Sequence, residues 1–514
     1  MATTTSFLAL LLRLFSFSLA SRLLGLVRDL SIAWIVGAGP LGDLLAQALR
    51  VPHIFRRLLA EGSLSLSLTA HFVRNDCSPR LFLAVRKRLF WLLFFLTALV
   101  MVLTKPLARL ISADQAQCQA LATLLPWALP YLFFAGMAAL SMSYLHAKGS
   151  FTIPACSPLL FNVLMLSFFW PAACFPDHAI WLIVLGLSFA GLGQWLFQAW
   201  AVQRFVRGIR EDTLQDYQAG KAWTMLRALP KGLLPAAFPH LAALSAMIFL
   251  ALQGPGLVSA FFYAERFLEL PLGLIGVCLG MASLPVLSSC ALRGRFAHFS
   301  RSLVRAQHWT LLLILAATSG LCALSFDLTF VLYGHGHFAK DAVPVVASML
   351  ILLLPLLPVQ AFARILLCAC TALGGEGYSL ATSLLCLALT TLLGFALHPA
   401  FALVLGNAAY ALSLWLWLHL SLARKGQKQP FSTGFCCRAL VCALLCGCGA
   451  RGTLALAAWL ELSGMLSLGL GLLAGLGFWI CALRFFCRRD YGRLKTLLGK
   501  KTRQRESKFF LPSA

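Results

Sequence analysis

Ser21-Arg-Leu-Leu-Gly-Leu-Val-Arg-Asp29 places three charged side chains inside an apolar run extending from about residue 6 to residue 36. A run of roughly 20 apolar residues is long enough to cross a bilayer as a helix. A charge at the centre of such a helix costs roughly 2.5–3.5 kcal/mol on insertion scales, so residues of this kind face a protein interior or a cavity and mark a function. Arg22 and Asp29 lie seven residues apart and share a face, whereas Arg28 points about 120° away on a straight helix. A bend at Gly25 would turn both arginines toward one cavity.

The rest of the chain supports the membrane reading. Of its 514 residues, 60% are hydrophobic and only 11% charged, against about 45–50% and 25% in soluble proteins. An ordinary soluble enzyme is excluded. Lys and Arg number 42 against 17 Asp and Glu, a net charge of +25. Such an excess on a soluble chain would suggest nucleic acid, but here the basic residues form short clusters between apolar runs. The 17 cysteines mostly lie inside apolar stretches, as Cys278, Cys368, Cys370, Cys386 and Cys442 do, and read as small packing residues in the thiol form. Met1 to Ser6 carry no basic residue and Arg13 interrupts the apolar region, so the N-terminus reads as a first span and not as a signal peptide.

Fourteen stretches have spanning length, the last two near 437–459 and 464–486. With the N-terminus inside, the inner loops and the tail hold about thirty basic residues, and the outer loops only Lys105, Arg109, Lys340 and Arg451. An even count with both ends cytoplasmic agrees with that bias. Tyr144-Leu-His-Ala-Lys-Gly149 has a weak echo in Cys370-Thr-Ala-Leu-Gly-Gly375 about 226 residues later. Repeat-built folds are common among transporters. The expected class is an all-α polytopic membrane protein, with two six-helix lobes around a central cationic cavity and two extra helices. The expected parts are an N-lobe over 1–203, a cytoplasmic linker over 204–231, a C-lobe over 232–428, a final helix pair over 429–486 and a basic cytoplasmic tail over 487–514.

Further charges lie where apolar residues are expected. The second span carries Asp43, Arg50, Arg56, Arg57 and Glu61, with Arg50, Arg57 and Glu61 on one stripe and Arg57–Glu61 an i,i+4 pair. The eighth span adds Glu265, Arg266 and Glu269 ahead of Pro271. Interfacial snorkelling accounts for Arg13, and for Arg50 or Arg57 if paired. It accounts poorly for Arg22, Arg28 and Arg266, which have helix on either side. Arg364 near a cytoplasmic end reads as interfacial, and His240 as a hydrogen-bonded core histidine. A planar guanidinium stays charged and grips phosphate oxygens bidentately. A cavity lined with arginines therefore calls for an anionic, preferably phosphorylated, substrate.

Three groups of residues carry a resemblance: the Ser21–Asp29 segment; Gly37-Ala-Gly39 with Asp43 and Arg56-Arg-Leu-Leu-Ala-Glu-Gly62; and Tyr263-Ala-Glu-Arg-Phe-Leu-Glu-Leu-Pro-Leu-Gly273 with Gly276 and Gly280. Gly149-Ser-Phe-Thr-Ile-Pro-Ala155, leading to Pro158 and Asn162, adds to them. In this order they resemble the MurJ/MviN family, lipid II flippases of the multidrug/oligosaccharidyl-lipid/polysaccharide exporter superfamily. The resemblance implies transfer of an undecaprenyl-pyrophosphate-linked glycopeptide across the bacterial inner membrane by alternating access. It implies that Arg22, Arg28, Arg56 and Arg266 engage the pyrophosphate. Ser21, Asp29, Asp43, Arg50, Arg57, Glu61 and Glu269 fall on supporting positions, and the last two spans on a groove for the polyprenyl tail. Lipid II, membrane lipids and cell-wall synthesis machinery are the implied partners; no nucleic acid, cofactor or metal is implied. Arg50 stands where many relatives have Lys. Residues 232–252 and 377–397 hold no Asp, Glu or Asn, so the sodium site of some relatives is not expected in that form. A related exporter of another polyprenyl-linked oligosaccharide or of drugs is the alternative. A polyprenyl-phosphate glycosyltransferase is disfavoured, since Asp327 and Asp341 stand isolated in short outer loops.

Overall fold

A computed structural model describes residues 4–59, 68, 69, 71–73, 75–112, 114–207, 216–427 and 433–487, and among them every regular element is a helix. In a bilayer each backbone N–H and C=O needs an internal partner, which a helix supplies within its own segment. Lipid also explains the surface: Leu292, Trp170 and Phe395 are 89%, 79% and 78% exposed. Apolar exposure on this scale is unfavourable in water. Among the described residues, nine helical segments are by themselves long and apolar enough to cross a membrane, or ten if a pair bent by 62° is one span. The element order is consistent with the fourteen expected spans. The chain is a multi-pass membrane protein.

The chain divides into two compact units, Met1–Ser259 with His335–Ala342, and Ala260–Gly334 with Val343–Ala514. In the first unit α1 (Thr4–Val36) and α2 (Pro40–Leu59) are followed by the bent pair α3 (Pro79–Val102) and α4 (Thr104–Ile111). Then come α5 (Gln115–Ala128), α6 (Pro130–Ala147), α7 (Thr152–Ser167), α8 (Phe169–Cys174), α9 (Ala179–Val206) and α10 (Asp216–Gln253). Pro130 at the first turn of α6 explains the break after α5, since proline lacks the N–H that would continue the ladder. Helix α9 packs on α6 and α7, α1 lies along α7, and α2 lies against α5 and α6. Near the basic loops Phe72, Phe82 and Tyr144 form a ring cluster with centroids 4.5–6.1 Å apart.

The segment His335–Ala342 completes the first unit. Its His337 N–H donates to the Trp34 carbonyl at 3.0 Å, at the end of α1. Gly37 (φ +72°) and Gly336 (φ +67°) permit this seat: a Cβ on Gly37 would stand 2.3 Å from His337 O, and one on Gly336 2.3 Å from Trp34 Cδ1.

The second unit holds most of α11 (Leu257–Pro271), whose proline is followed by one π-helical turn over Leu272–Val277 and then α12 (Cys278–Leu292). After them run α13 (Phe296–Ala323), α14 (Ser325–Tyr333), α15 (Ala342–Leu353), α16 (Leu356–Ala372), α17 (Glu376–Gly394) and α18 (Pro399–Ala423). The final pair, α19 (Thr433–Trp459) and α20 (Gly464–Phe486), packs side by side, with α19 also against α13. Membrane helices approach closely through small residues. Gly475 does this here, where a Cβ would stand 3.1 Å from the Cys446 carbonyl. Among the cysteines with a described side chain, none is in a disulfide.

Candidate functional site

The two arginines of α1 have different surroundings. Helix α1 runs unbroken through Gly25, whose Cα side faces Asn162 of α7: a Cβ there would stand 3.8 Å from Asn162 Nδ2. Arg28 is 5% and Asp29 7% exposed. The guanidinium turns back on its neighbour, donating from Nε (3.0 Å) and Nη2 (2.8 Å) to Asp29 Oδ1, and from Nη1 to Asn162 Oδ1 at 3.1 Å. Asn162 Nδ2 in turn donates to the Ser21 carbonyl at 2.9 Å and lies 3.5 Å from Ser21 Oγ. A buried charge is tolerated when it is paired and hydrogen-bonded. The arrangement also leaves one N–H on each terminal nitrogen, since a guanidinium has five. Arg22, half-buried six residues earlier, has no hydrogen-bond or ion-pair partner among the described residues. One arginine is fixed and the other is available.

In α2, Asp43 (2% exposed), Gln47 (0%) and Arg50 (7%) form a buried polar row. Arg56, one turn beyond Pro52, is half-buried. The side chain of Arg57, and Glu61 entirely, lie outside the described residues, and with them the expected Arg57–Glu61 pair. Asp43 does not face an arginine. Its two oxygens accept the backbone N–H groups of Gly256 and Ser259, both at 2.6 Å. A carboxylate there satisfies the orphan donors at the start of α11 and meets the positive end of the helix dipole. Ser259 Oγ accepts from Gly39 N–H at 3.2 Å and donates to the Gly256 carbonyl at 3.0 Å.

In the second unit Arg266 donates from Nη1 to Glu269 Oε2 at 3.0 Å, with the arginine side chain 7% and the glutamate 30% exposed. Its guanidinium lies over the Phe262 ring, 4.4 Å from the centroid, a favourable cation–π placement. Pro271 and the π turn follow one helical turn later. Arg364 is exposed on α16 and His240 half-buried in α10.

Ser21, Arg28 and Asp29 are thus brought together, as are Arg266 and Glu269, while Asp43 serves a helix end. Reading residue types missed Asn162 as the amide that fixes Arg28, and Phe262 as the ring under Arg266. The first had a weak signal, a lone Asn in an apolar span. The second had only i,i+4 spacing.

The model of the family "Lipid II flippase MurJ" matches residues 32–462. A probable lipid II flippase MurJ from Bdellovibrio bacteriovorus is 32% identical over 351 residues, covering 65% of this chain and 65% of the relative. The lipid II flippase MurJ of Burkholderia cenocepacia is 29% identical over 358 residues, covering 66% of this chain and 68% of that protein. This chain thus aligns with just under two thirds of the Bdellovibrio relative's own length. Among solved structures, an inward closed conformation of lipid II flippase MurJ superposes with a TM-score of 0.71 at 18% identity, over 91% of this chain and 99% of that one. An inward-facing multidrug resistance MATE family transporter of the MOP superfamily reaches 0.61 at 16% identity, over 81% and 98%. The structural likenesses carry the fold, and the family model, matched over most of the length, carries the kinship: this chain belongs to the lipid II flippase MurJ family.

Proposed function

We propose that this chain flips lipid II, the undecaprenyl-pyrophosphate-linked glycopeptide, from the inner to the outer leaflet of the bacterial cytoplasmic membrane for cell-wall synthesis, as a transporter and not an enzyme. The observation that carries this reading is a buried Arg28 held on Asp29 and Asn162 in a membrane span, with an Arg22 on the same helix that has no hydrogen-bond or ion-pair partner among the described residues. Bidentate donors suit the two phosphates of a pyrophosphate. A desolvated site strengthens their attraction, and a preset geometry lowers the ordering cost of binding.

Arg22, Arg28, Arg56 and Arg266 are the proposed substrate contacts. Ser21, Asp29, Asp43, Arg50, Arg57, Glu61 and Glu269 support them. The tail would lie along α19 and α20, and the headgroup would cross by alternating access. Both termini and the 204–231 linker face the cytoplasm in this reading, with lobes over 1–203 and 232–428, the tail-groove pair over 429–486 and a basic tail from 487. Cell-wall synthesis enzymes are the proposed partners on the far side.

A cation-drug exporter is less well supported, because it needs carboxylates open to its path. Here Asp29 is taken by Arg28 and Asp43 by two backbone N–H groups. The test is lipid II accessibility at the outer leaflet in cells depleted of the native flippase and complemented with this chain. Restored accessibility, lost again in R22A, is the expected result. Complementation by R22A and R266A alike would overturn the site, and lack of accessibility with the wild type would overturn the substrate.

A further inference from the structure

One ion pair lies apart from the arginines proposed to contact the substrate. Arg451 of α19 donates from Nη1 to Asp327 Oδ2 of α14 at 3.1 Å. The arginine side chain is 64% and the aspartate 35% exposed. Adjoining residues fix the pair on the seam between the two helices. Ala450 and Leu454 of α19 are buried in one apolar cluster with Leu324 and Leu468, and Leu328 of α14 packs against it. Packing thus holds the two backbones while both charged groups turn outward.

A charge on a lipid-facing surface is costly unless polar groups meet it. A guanidinium carries five N–H groups and a carboxylate two oxygens. One of each is used here, and neither residue has another hydrogen bond or ion pair among the described residues. The remaining guanidinium N–H groups and Asp327 Oδ1 are left for the membrane to satisfy. Arg451 stands about two turns inward of Trp459, the last residue of α19, which is 78% exposed. Tryptophan in that setting seats at the membrane–water interface, and a long basic side chain just inside it reaches headgroup phosphates. Toward the middle of α19, Cys448 and Leu444 stand three and seven residues before Arg451 and are both exposed, so an apolar track leads inward from the pair. Phe326 and Phe330, exposed with ring centroids 6.5 Å apart, flank Asp327.

We infer that Arg451 and Asp327 together bind the headgroup of an aminophospholipid from the surrounding leaflet, distinct from the transported lipid. The phosphodiester takes the remaining guanidinium N–H groups as a bidentate acceptor, and the lipid ammonium donates to Asp327 Oδ1. The acyl chains run inward over Cys448 and Leu444. Charge complementarity selects this occupant. An anionic lipid without an ammonium leaves the carboxylate unmet and is repelled by it, and a pyrophosphate more so. A choline headgroup has the positive charge but no N–H to donate.

Native mass spectrometry of the full-length protein tests this, with phosphatidylethanolamine, phosphatidylcholine, phosphatidylglycerol and soluble phosphoethanolamine as probes. The wild type should retain phosphatidylethanolamine in preference to the other two lipids. R451Q should lower that retention about five-fold, and D327N should abolish the preference over phosphatidylglycerol. E461Q, just past the end of α19, should behave as wild type. R451K and D327S replace the two variants if either fails to insert, with the same direction expected, since a lysine lacks the fork. Equal retention of the three lipids by the wild type overturns the proposal, as does unchanged selectivity in D327N or unchanged retention in R451Q. Loss of the preference in E461Q overturns it by assigning the ammonium to another carboxylate. So does displacement of the lipid by millimolar phosphoethanolamine, which would assign the pair to a soluble zwitterion. Retention is read without any flipping, so failure here leaves the transport reading untouched.

Discussion

Arg28 of α1 donates to Asn162 of α7 across 3.1 Å, and the same amide donates back to the carbonyl of Ser21, two turns earlier on α1. One side chain therefore does two things: it accepts from a buried guanidinium, and it ties two helices of the unit together. Replacing it with alanine leaves the buried Arg28 Nη1 N–H without its Asn162 acceptor and removes the second donor to the Ser21 carbonyl, which keeps its place in the α1 backbone ladder. N162A should lose about 1–2 kcal/mol of stability, between the ordinary membrane hydrogen bond and one to a charged group. Thermal unfolding in detergent measures it. Unchanged melting would show that the amide contributes nothing to the packing of α1 on α7.

The contrast between Arg22 and Arg28 gives a second prediction. Arg22 has no hydrogen-bond or ion-pair partner among the described residues, so R22A should keep the wild-type melting temperature while abolishing complementation. R28A removes the two N–H groups that Arg28 donates to the Asp29 carboxylate, 7% exposed, and breaking a buried pair from one side costs roughly 3–5 kcal/mol. It should therefore lose both stability and function. R22K keeps the charge but not the fork, and should complement weakly. Equal melting losses in R22A and R28A would contradict the division of labour.

The class, the approximate spans and the arginines were legible because insertion cost leaves few explanations for a charge in an apolar run. What each charge touches was not. Helix periodicity gives the face of Asp43, yet its partners are backbone N–H groups of Gly256 and Ser259, more than 200 residues away. A backbone N–H has no residue type to read. The partners of Arg28 were hidden in the same way: on the unbroken α1 its side chain swings onto Asp29 and Asn162, a choice made by rotamer and by the position of Asn162. The seat of His335–Ala342 on α1 was hidden for a similar reason, since both of its glycines look like ordinary loop residues.

Asp43 provides a third prediction. Its carboxylate accepts both N–H groups at the start of α11 at 2.6 Å. An N-cap of this kind is worth typically about 1 kcal/mol, and up to about 2. D43N keeps one oxygen but turns an NH2 toward a backbone N–H, so it should melt earlier than wild type by nearly as much as D43A. S259A removes only the hydroxyl that bridges Gly39 and Gly256 and should cost less. If D43N melted like wild type, the contact would need only one acceptor.

The glycine seat between α1 and the His335–Ala342 segment can be tested by its non-additivity. Any side chain at Gly37 meets the His337 carbonyl, and any at Gly336 meets Trp34, while both backbones sit at positive φ. A β-carbon in that conformation costs roughly 1–2 kcal/mol before any clash is counted. Relief requires the segment to leave the end of α1, breaking the His337 N–H to Trp34 O bond. G37A and G336A should each accelerate tryptic cleavage at Lys340, the exposed lysine of the segment. The double variant should be cleaved little faster than either single, because residues sharing one contact do not add. Rates that multiply in the double variant would mean that the two glycines act at separate places, and that the seat is not one unit.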